Sequence, residues 1–196
     1  YAELTHDIVI KESAYKFLDT VWSSMVDNGI IYRSYQPNTG VKAQPNLAAA
    51  FMYTNMLNAT YEKFKCQKYL DHSRIIIDKW LSQQSNLGLF PFEYNGNRSW
   101  LDSETDMSMS LLELFELTGK EGYYGAAARC YQGILDYNLI SSSVNVSTGD
   151  PTPPVLFRSQ KPTPKFLGLF LKLAYYFESG KQIYGENGIE NLIRDR

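Results

Sequence analysis

The segment 88–106 brings together the residue types that could do chemistry. Its aromatic and charged side chains are Phe90, Phe92, Glu93, Tyr94, Arg98, Trp100, Asp102, Glu104 and Asp106. Carboxyl groups of this kind act as general acids and bases. Asp102 and Asp106 are four residues apart, so in the first turns of a helix their Cβ atoms would lie ~5–6 Å apart on one face. Asp102, Asp106 and Glu104 are therefore the candidate catalytic residues.

The same acids also fit a structural role at the start of a helix. The run from Ser103 to Asp106 matches a capping pattern, and acids in a first helical turn are stabilised by the helix dipole without any catalytic function. Capping is the main alternative for Ser103 and Glu104, and it stays open for Asp102 and Asp106.

Several other kinds of catalytic site are disfavoured. The two histidines, His6 and His72, lie far apart and have no Cys or His three or four residues away, which argues against zinc and against a histidine-based triad. Cys66 and Cys130 have no metal-ligand spacing, and we expect them to be free thiols. No P-loop, G-x-G-x-x-G or G-x-S-x-G motif is present. The sequence predicts no metal and no cofactor.

Composition predicts an ordinary globular protein. The chain has 196 residues, 44% of them hydrophobic and 20% charged, which fits a single domain over residues 1–196. Its net charge is −2 and it has no basic stripe, so nucleic acid is not an expected partner. No apolar run reaches ~18 residues, so no membrane partner is expected either. The sequons at Asn58, Asn97 and Asn145 are weak evidence for secretion, and a cytoplasmic location is favoured.

Apolar periodicity predicts six helices and the start of a seventh. The predicted ranges are 7–26, 46–61, 67–84, 103–118, 120–139 and 163–179, with the seventh beginning at 181. The first, third and fifth helices carry one apolar stripe, which is typical of outer helices. The second, fourth and sixth are apolar almost all round, which is typical of inner helices. Long loops connect each outer helix to the next inner helix, so these loops gather at one end, where we expect the functional site.

The helices form an internal repeat. Gly119-Lys120 and Gly180-Lys181 are equivalent turns about 60 residues apart. Each repeat consists of a long loop, an apolar inner helix, a tight turn and an amphipathic outer helix. Such units must stack on one another to bury their apolar faces.

This pattern resembles the α/α-toroid, or six-hairpin, superfamily of carbohydrate-active proteins, which includes glycoside hydrolases, sugar 2-epimerases and uronate-processing enzymes. The resemblance rests on hairpins such as residues 100–124, where an acidic helix start and an apolar helix lead through Thr118-Gly119 into an outer helix. It implies an all-α fold of helical hairpin repeats. The chain supplies about three and a half hairpins against about six in a complete toroid, so the resemblance implies a partial toroid or a fragment of a longer chain.

The resemblance also implies a function and a set of site residues. It implies a glycoside hydrolase or sugar epimerase relative that acts on a saccharide at the long-loop end, with acid/base residues at inner helix starts. Aromatic side chains would pack on sugar C–H faces, and charged ones would bind hydroxyls. The implied substrate contacts are Trp100, Tyr94, Arg98, Glu93, Tyr32, Arg33 and Arg158.

Two alternatives remain open at this point. Each loop aromatic, Trp100 included, could pack its own loop onto the helix ends instead of contacting a ligand. The competing function is a non-enzymatic helical-repeat protein that binds a glycan or a protein partner. In either case the expected partner is a saccharide or another small polar ligand, and a second copy of the chain or a missing segment could complete the ring.

Overall fold

The structure, a computed structural model, describes residues 8–137, 143–152 and 164–179. Its helices are α1 (Ile8–Met25), α2 (Leu47–Phe64), α3 (Gln67–Leu81), α4 (Leu101–Thr118), α5 (Glu121–Tyr137) and α6 (Pro164–Ala174), which continues as a π-helical turn over Tyr175–Ser179. Short strands are β1 (Val26–Asp27), β2 (Ile30–Ile31), β3 (Arg98–Trp100) and β4 (Ser143–Asn145). The predicted all-α character and the ranges of the first five helices are confirmed to within a few residues. The seventh predicted helix lies outside the described residues.

The backbone divides into two compact units. The first comprises Tyr1–Gln83 and Pro91–Gly96, and the second comprises Gln84–Phe90 and Asn97–Arg196. The sequence predicts a single domain over residues 1–196, and the division into two compact units leaves that prediction untested.

In the first unit, α1 and α3 both pack on α2. The Tyr53 hydroxyl of α2 donates to the Leu18 carbonyl of α1 at 2.6 Å, and the Ser73 hydroxyl of α3 donates to the Asn58 side chain at 2.6 Å. Trp80 is fully buried, as its place in an apolar stripe predicts. Asn58 is also buried, so this sequon lies inside the folded unit rather than at its surface.

In the second unit, α4 and α5 form a helical hairpin. The Gly133 backbone of α5 lies close to the loop between α3 and β3. A Cβ at Gly133 would be 2.7 Å from the Leu87 carbonyl oxygen of that loop. The π-helical turn adds aromatic packing, because the Phe177 ring stacks on Tyr131 with centroids 5.1 Å apart. These contacts leave α4 buried along most of its length.

Both units use the same left-handed turn between inner and outer helices. Gly119 ends α4 with φ 69°, and its N–H donates to the Phe115 carbonyl at 2.7 Å, as a helix-terminating glycine should. Lys65 takes the corresponding place after α2 with φ 54°, and its N–H donates to the Tyr61 carbonyl at 2.7 Å. The repeat is therefore present in the backbone even where no glycine marks it.

The prediction that an inner helix is covered on most sides is confirmed for α4, but α2 is not buried all round as its apolar sequence predicts. Met52 and Met56 of α2 are 61% and 42% exposed, so this helix has an apolar face toward solvent. Hydrophobic side chains show that a face can be buried, but they do not reveal whether a neighbouring element covers it. Within the described ranges, none of the helices is both long and apolar enough for a membrane span.

Candidate functional site

The acidic residues of the candidate site lie where β3 runs directly into α4. β3 pairs antiparallel with β4 through Arg98 and Asn145, Ser99 and Val144, and Trp100 and Ser143. Trp100 is the N-cap residue of α4, with extended φ −121° and ψ 111°. Since β3 leads directly into α4, its pairing with β4 fixes the direction in which the first turn of α4 starts.

Asp102 and Asp106 lie one helical turn apart on α4, as predicted from their spacing. Both side chains are partly buried. Asp102 is in the first turn, where the helix dipole favours a negative charge. This placement brings two carboxyl groups to the same face of one helix, ~5–6 Å apart at Cβ.

Ser103 does not cap the helix. The structure starts α4 three residues earlier than a Ser103 cap requires, because the pairing of β3 with β4 ends at Trp100. Ser103 is instead buried within the first turn. The capping interpretation is therefore wrong for Ser103, and Glu104 also lies inside the helix and not at its N-cap.

Glu104 is fully buried, and both of its carboxyl oxygens accept hydrogen bonds. Oε1 accepts from the Phe90 N–H at 2.8 Å and from the Ser99 hydroxyl at 2.6 Å, while Oε2 accepts from the Cys130 thiol at 2.9 Å. Burial raises the pKa of Glu104 to about 7, since desolvation of the charged form outweighs these three hydrogen bonds. The carboxyl group that sequence reasoning placed among the catalytic candidates is thus enclosed by protein atoms.

Cys130 contributes to this cluster from α5. It is a free, buried cysteine, as the spacing of the two cysteines predicts. Burial, followed by the nearby Glu104 carboxyl group, raises the pKa of the Cys130 thiol well above its ordinary value. The thiol therefore stays protonated and acts as a hydrogen-bond donor at neutral pH.

Two of the predicted substrate contacts come from β3. Trp100 is only 8% exposed, which agrees better with loop packing than with an open stacking surface. Arg98 is partly buried at the other end of the strand. Arg98 lies in β3 and Asp102 lies in the first turn of α4, which β3 leads into, so both residues belong to the second unit.

The remaining described candidates belong to the first unit. Tyr32 forms an isolated bridge with Pro45, and the Tyr94 N–H donates to the Pro45 carbonyl at 3.2 Å, so the backbones of both tyrosines border the same proline. The Tyr94 ring also packs edge-on against Trp80, with centroids 5.4 Å apart. These contacts fit the alternative in which Tyr94 packs its own loop, and its contact with a substrate stays a prediction. Arg33 and Glu93 are exposed.

One predicted substrate contact lies outside the described residues, and the described residues hold no candidate metal site. Arg158 and the neighbouring Phe157 lie outside the described residues. Among the residues that are described, no three His, Cys, Asp or Glu side chains are grouped closely enough to hold a metal ion.

Sequence reasoning missed the partners of Glu104. Ser99 and Cys130 gave no functional signal, because a serine before a helix and a cysteine in an apolar stripe are both ordinary. Glu104 lies two residues from Asp102, and a helix points residues two apart in different directions. This difference in direction, readable once the helix start is known, separates Glu104 from the Asp102–Asp106 face.

Comparison with known proteins places the fold. No protein-family model matches the sequence, and no curated protein matches it. Among solved structures, the crystal structure of D-mannose isomerase matches with a TM-score of 0.73 and 13% identity, over 99% of this chain and 56% of that one. The GH76 α-mannanase of Bacteroides thetaiotaomicron matches with a TM-score of 0.57 and 14% identity, over 90% of this chain and 47% of that one.

Both of these neighbours are α/α toroids, and the chain has this fold, as its hairpin repeats predict. The chain spans about half the length of each neighbour.

Proposed function

We propose that the protein is a carbohydrate-active enzyme in which Asp102 and Asp106 act as the acid/base pair. The observation that carries this proposal is the placement of two partly buried carboxyl groups, one turn apart, at the start of the buried helix α4. The two structural neighbours, a D-mannose isomerase and an α-mannanase, are sugar-processing enzymes, which supports a saccharide as the substrate. Glu104 is left out of the reacting pair because its carboxyl group is enclosed.

The chemistry proposed for Asp102 and Asp106 is proton transfer to and from a sugar. Hydrolysis of a glycoside needs two carboxyl groups, ~5–5.5 Å apart for retention of configuration or ~6.5–9.5 Å apart for inversion. Epimerisation or isomerisation instead needs one group to remove a proton beside the carbonyl carbon and a second to return one. Two carboxyl groups on one helix face can serve either reaction, so hydrolysis and isomerisation are tested side by side.

A mannose-configured saccharide is the substrate class that we propose. The names of both neighbours refer to mannose, one to D-mannose itself and the other to α-mannan. Arg98, on the strand that leads into α4, is the proposed hydroxyl contact from the same unit, since a guanidinium group offers several donors to sugar oxygens. The other substrate contacts stay predictions from the sequence: Trp100, Tyr94, Glu93, Tyr32, Arg33 and Arg158.

The test compares two aspartate variants with a matched control on the same helix. D-mannose is followed by proton NMR in D2O, which detects a ketose product and deuterium uptake, and α-mannan is followed by release of reducing ends. We expect Asp102→Asn and Asp106→Asn each to lower kcat/KM by about 10²–10⁴-fold, as removal of an acid or base does. Glu116→Gln, an exposed change of the same kind further along α4, should leave turnover within about twofold.

The stability of the variants separates catalysis from a structural role. A catalytic aspartate can be changed with little effect on the melting temperature, whereas loss of a helix-start interaction lowers stability by ~1 kcal/mol. If Asp102→Asn and Asp106→Asn melt earlier but still turn over substrate, the catalytic assignment is wrong. If saccharide binds and neither reaction occurs in the unmodified chain, the non-enzymatic binder is the correct alternative.

A further inference from the structure

The side chain of Glu104 joins three separate segments of the second unit. Its donors come from the loop before β3 (Phe90), from β3 itself (Ser99) and from α5 (Cys130), while Glu104 belongs to α4. The residue is 0% exposed. One carboxyl group therefore fastens the loop and the strand to the α4–α5 hairpin.

The donors to this carboxyl group in the described part of the chain all carry no charge. They are a backbone amide, a hydroxyl and a thiol that burial keeps protonated. Arg129, the neighbour of Cys130 on α5, directs its Nη2 to the Gln84 side-chain oxygen at 2.7 Å. On α4 itself, Asp102 and Asp106 lie two residues away on either side and so point in other directions. A negative charge buried among neutral donors is costly, whereas a neutral carboxyl group is not.

The loop that Glu104 fastens is closely fitted to α5. The Gln84 side-chain amide donates to the carbonyls of Gly88 at 2.8 Å and Ala126 at 2.9 Å. A Cβ on Gly88 would lie 2.2 Å from the Arg129 carbonyl oxygen. Since this loop leads through segment 91–96 into β3, release of Phe90 and Ser99 would loosen the strand that carries Arg98 and Trp100.

We propose that Glu104 is a proton-sensitive clasp, which holds the loop and β3 on the α4–α5 hairpin when its carboxyl group is neutral and lets them open when the group ionises in water. In the open state the carboxyl group is solvated and ionises with its ordinary pKa of 4.5, whereas in the closed state burial raises the pKa to about 7. Between these two values each rise of one pH unit favours opening about tenfold. The clasp is therefore tightest in acid, weakens up to about pH 7, and changes little above it.

The proposal is tested on the loop itself, with no saccharide present, so its failure and the failure of the proposed function are distinguishable. The measurement is the protection factor of the Phe90 amide in native-state hydrogen exchange, since this N–H donates directly to Glu104. We expect protection to fall about 100-fold between pH 5 and pH 7.5 and then to level off. A protection factor that does not change with pH would overturn the proposal.

A neutral variant and a charge-matched control complete the test. In Glu104→Gln the amide oxygen can accept from Phe90 and Ser99 as Oε1 does, so Phe90 should stay protected with no fall across this pH range. Glu116→Gln removes an exposed carboxyl group from the same helix and should keep the fall seen in the unmodified chain. The same fall in Glu104→Gln would contradict the proposal, because the titrating group would then lie elsewhere.

A second measurement tests the proposal if the Glu104→Gln variant does not fold. The side-chain carboxyl carbon of Glu104, followed by NMR in the unmodified chain, should titrate near pH 7. In Ser99→Ala the midpoint should move higher, because a hydrogen bond that stabilises the charged form is lost. A midpoint near 4.5 in the unmodified chain would show that the carboxyl group is solvated and that no clasp exists.

Discussion

Three glycine-to-alanine changes in the second unit test whether the loop before β3 is packed on α5 as the structure has it. Gly88 and Gly119 both have positive φ, 80° and 69°, where a side chain is strained. They differ in their surroundings, since a Cβ at Gly119 would meet nothing within 4 Å and one at Gly88 would meet the Arg129 carbonyl oxygen at 2.2 Å. Gly122, in the first turn of α5, has open space and no positive φ.

These surroundings give three different changes in the free energy of unfolding. Gly119→Ala bears only the conformational strain and should destabilise by about 1 kcal/mol. Gly88→Ala adds an overlap with backbone that no side-chain rotation can relieve, so it should destabilise by about 3 kcal/mol. Gly122→Ala gains helix propensity and should stabilise by about 0.5 kcal/mol.

Urea unfolding followed by tryptophan fluorescence measures all three variants in one assay. The informative quantity is the difference between Gly88→Ala and Gly119→Ala, because their shared conformational strain cancels. A difference of about 2 kcal/mol is expected from the contact with Arg129. If the two variants are equally destabilised, the loop does not lie against α5, and the description of Phe90 as a donor to Glu104 also fails.

Two further predictions concern the buried cluster. The folded-state pKa of Glu104, about 7, exceeds its ordinary 4.5, so this group's contribution to stability is fully present below about pH 4.5 and is lost as pH rises to about 7. Urea titrations should therefore show the unmodified chain losing about 3 kcal/mol relative to Glu104→Gln between pH 4.5 and pH 8, and a constant difference would contradict this. Cys130 is buried with a raised thiol pKa, whereas Cys66 is partly exposed, so iodoacetamide should modify Cys66 at least about 100-fold faster in the native protein. Equal rates by peptide mass spectrometry would show that the cluster is open to solvent.

Much of the helical framework was predictable because apolar spacing depends on local geometry. The stripes of α1, α3 and α5 and the glycine after α4 each follow from a periodicity or a backbone preference that involves only neighbouring residues. The left-handed turn at Lys65 was not predictable in this way, because a lysine there has no conformational advantage.

The site was predictable in composition and less so in detail. The Asp102–Asp106 spacing was enough to place both acids on one face of α4. The burial of Glu104 was not predictable, because it depends on how three separate segments, which supply Phe90, Ser99 and Cys130, fold around one side chain. The exposure of Met52 was missed for a similar reason, since whether a neighbour covers it depends on tertiary packing.

The pairing of β3 with β4 has a consequence for how the second unit folds. The two strands lie on opposite sides of α4 and α5 in the sequence, so their ladder closes a loop of about 40 residues that contains the whole hairpin. The helices form through local contacts, and local contacts form faster than pairing across a long loop. We therefore expect β3, which carries Arg98, to pair with β4 late in folding, after α4 and α5 have formed.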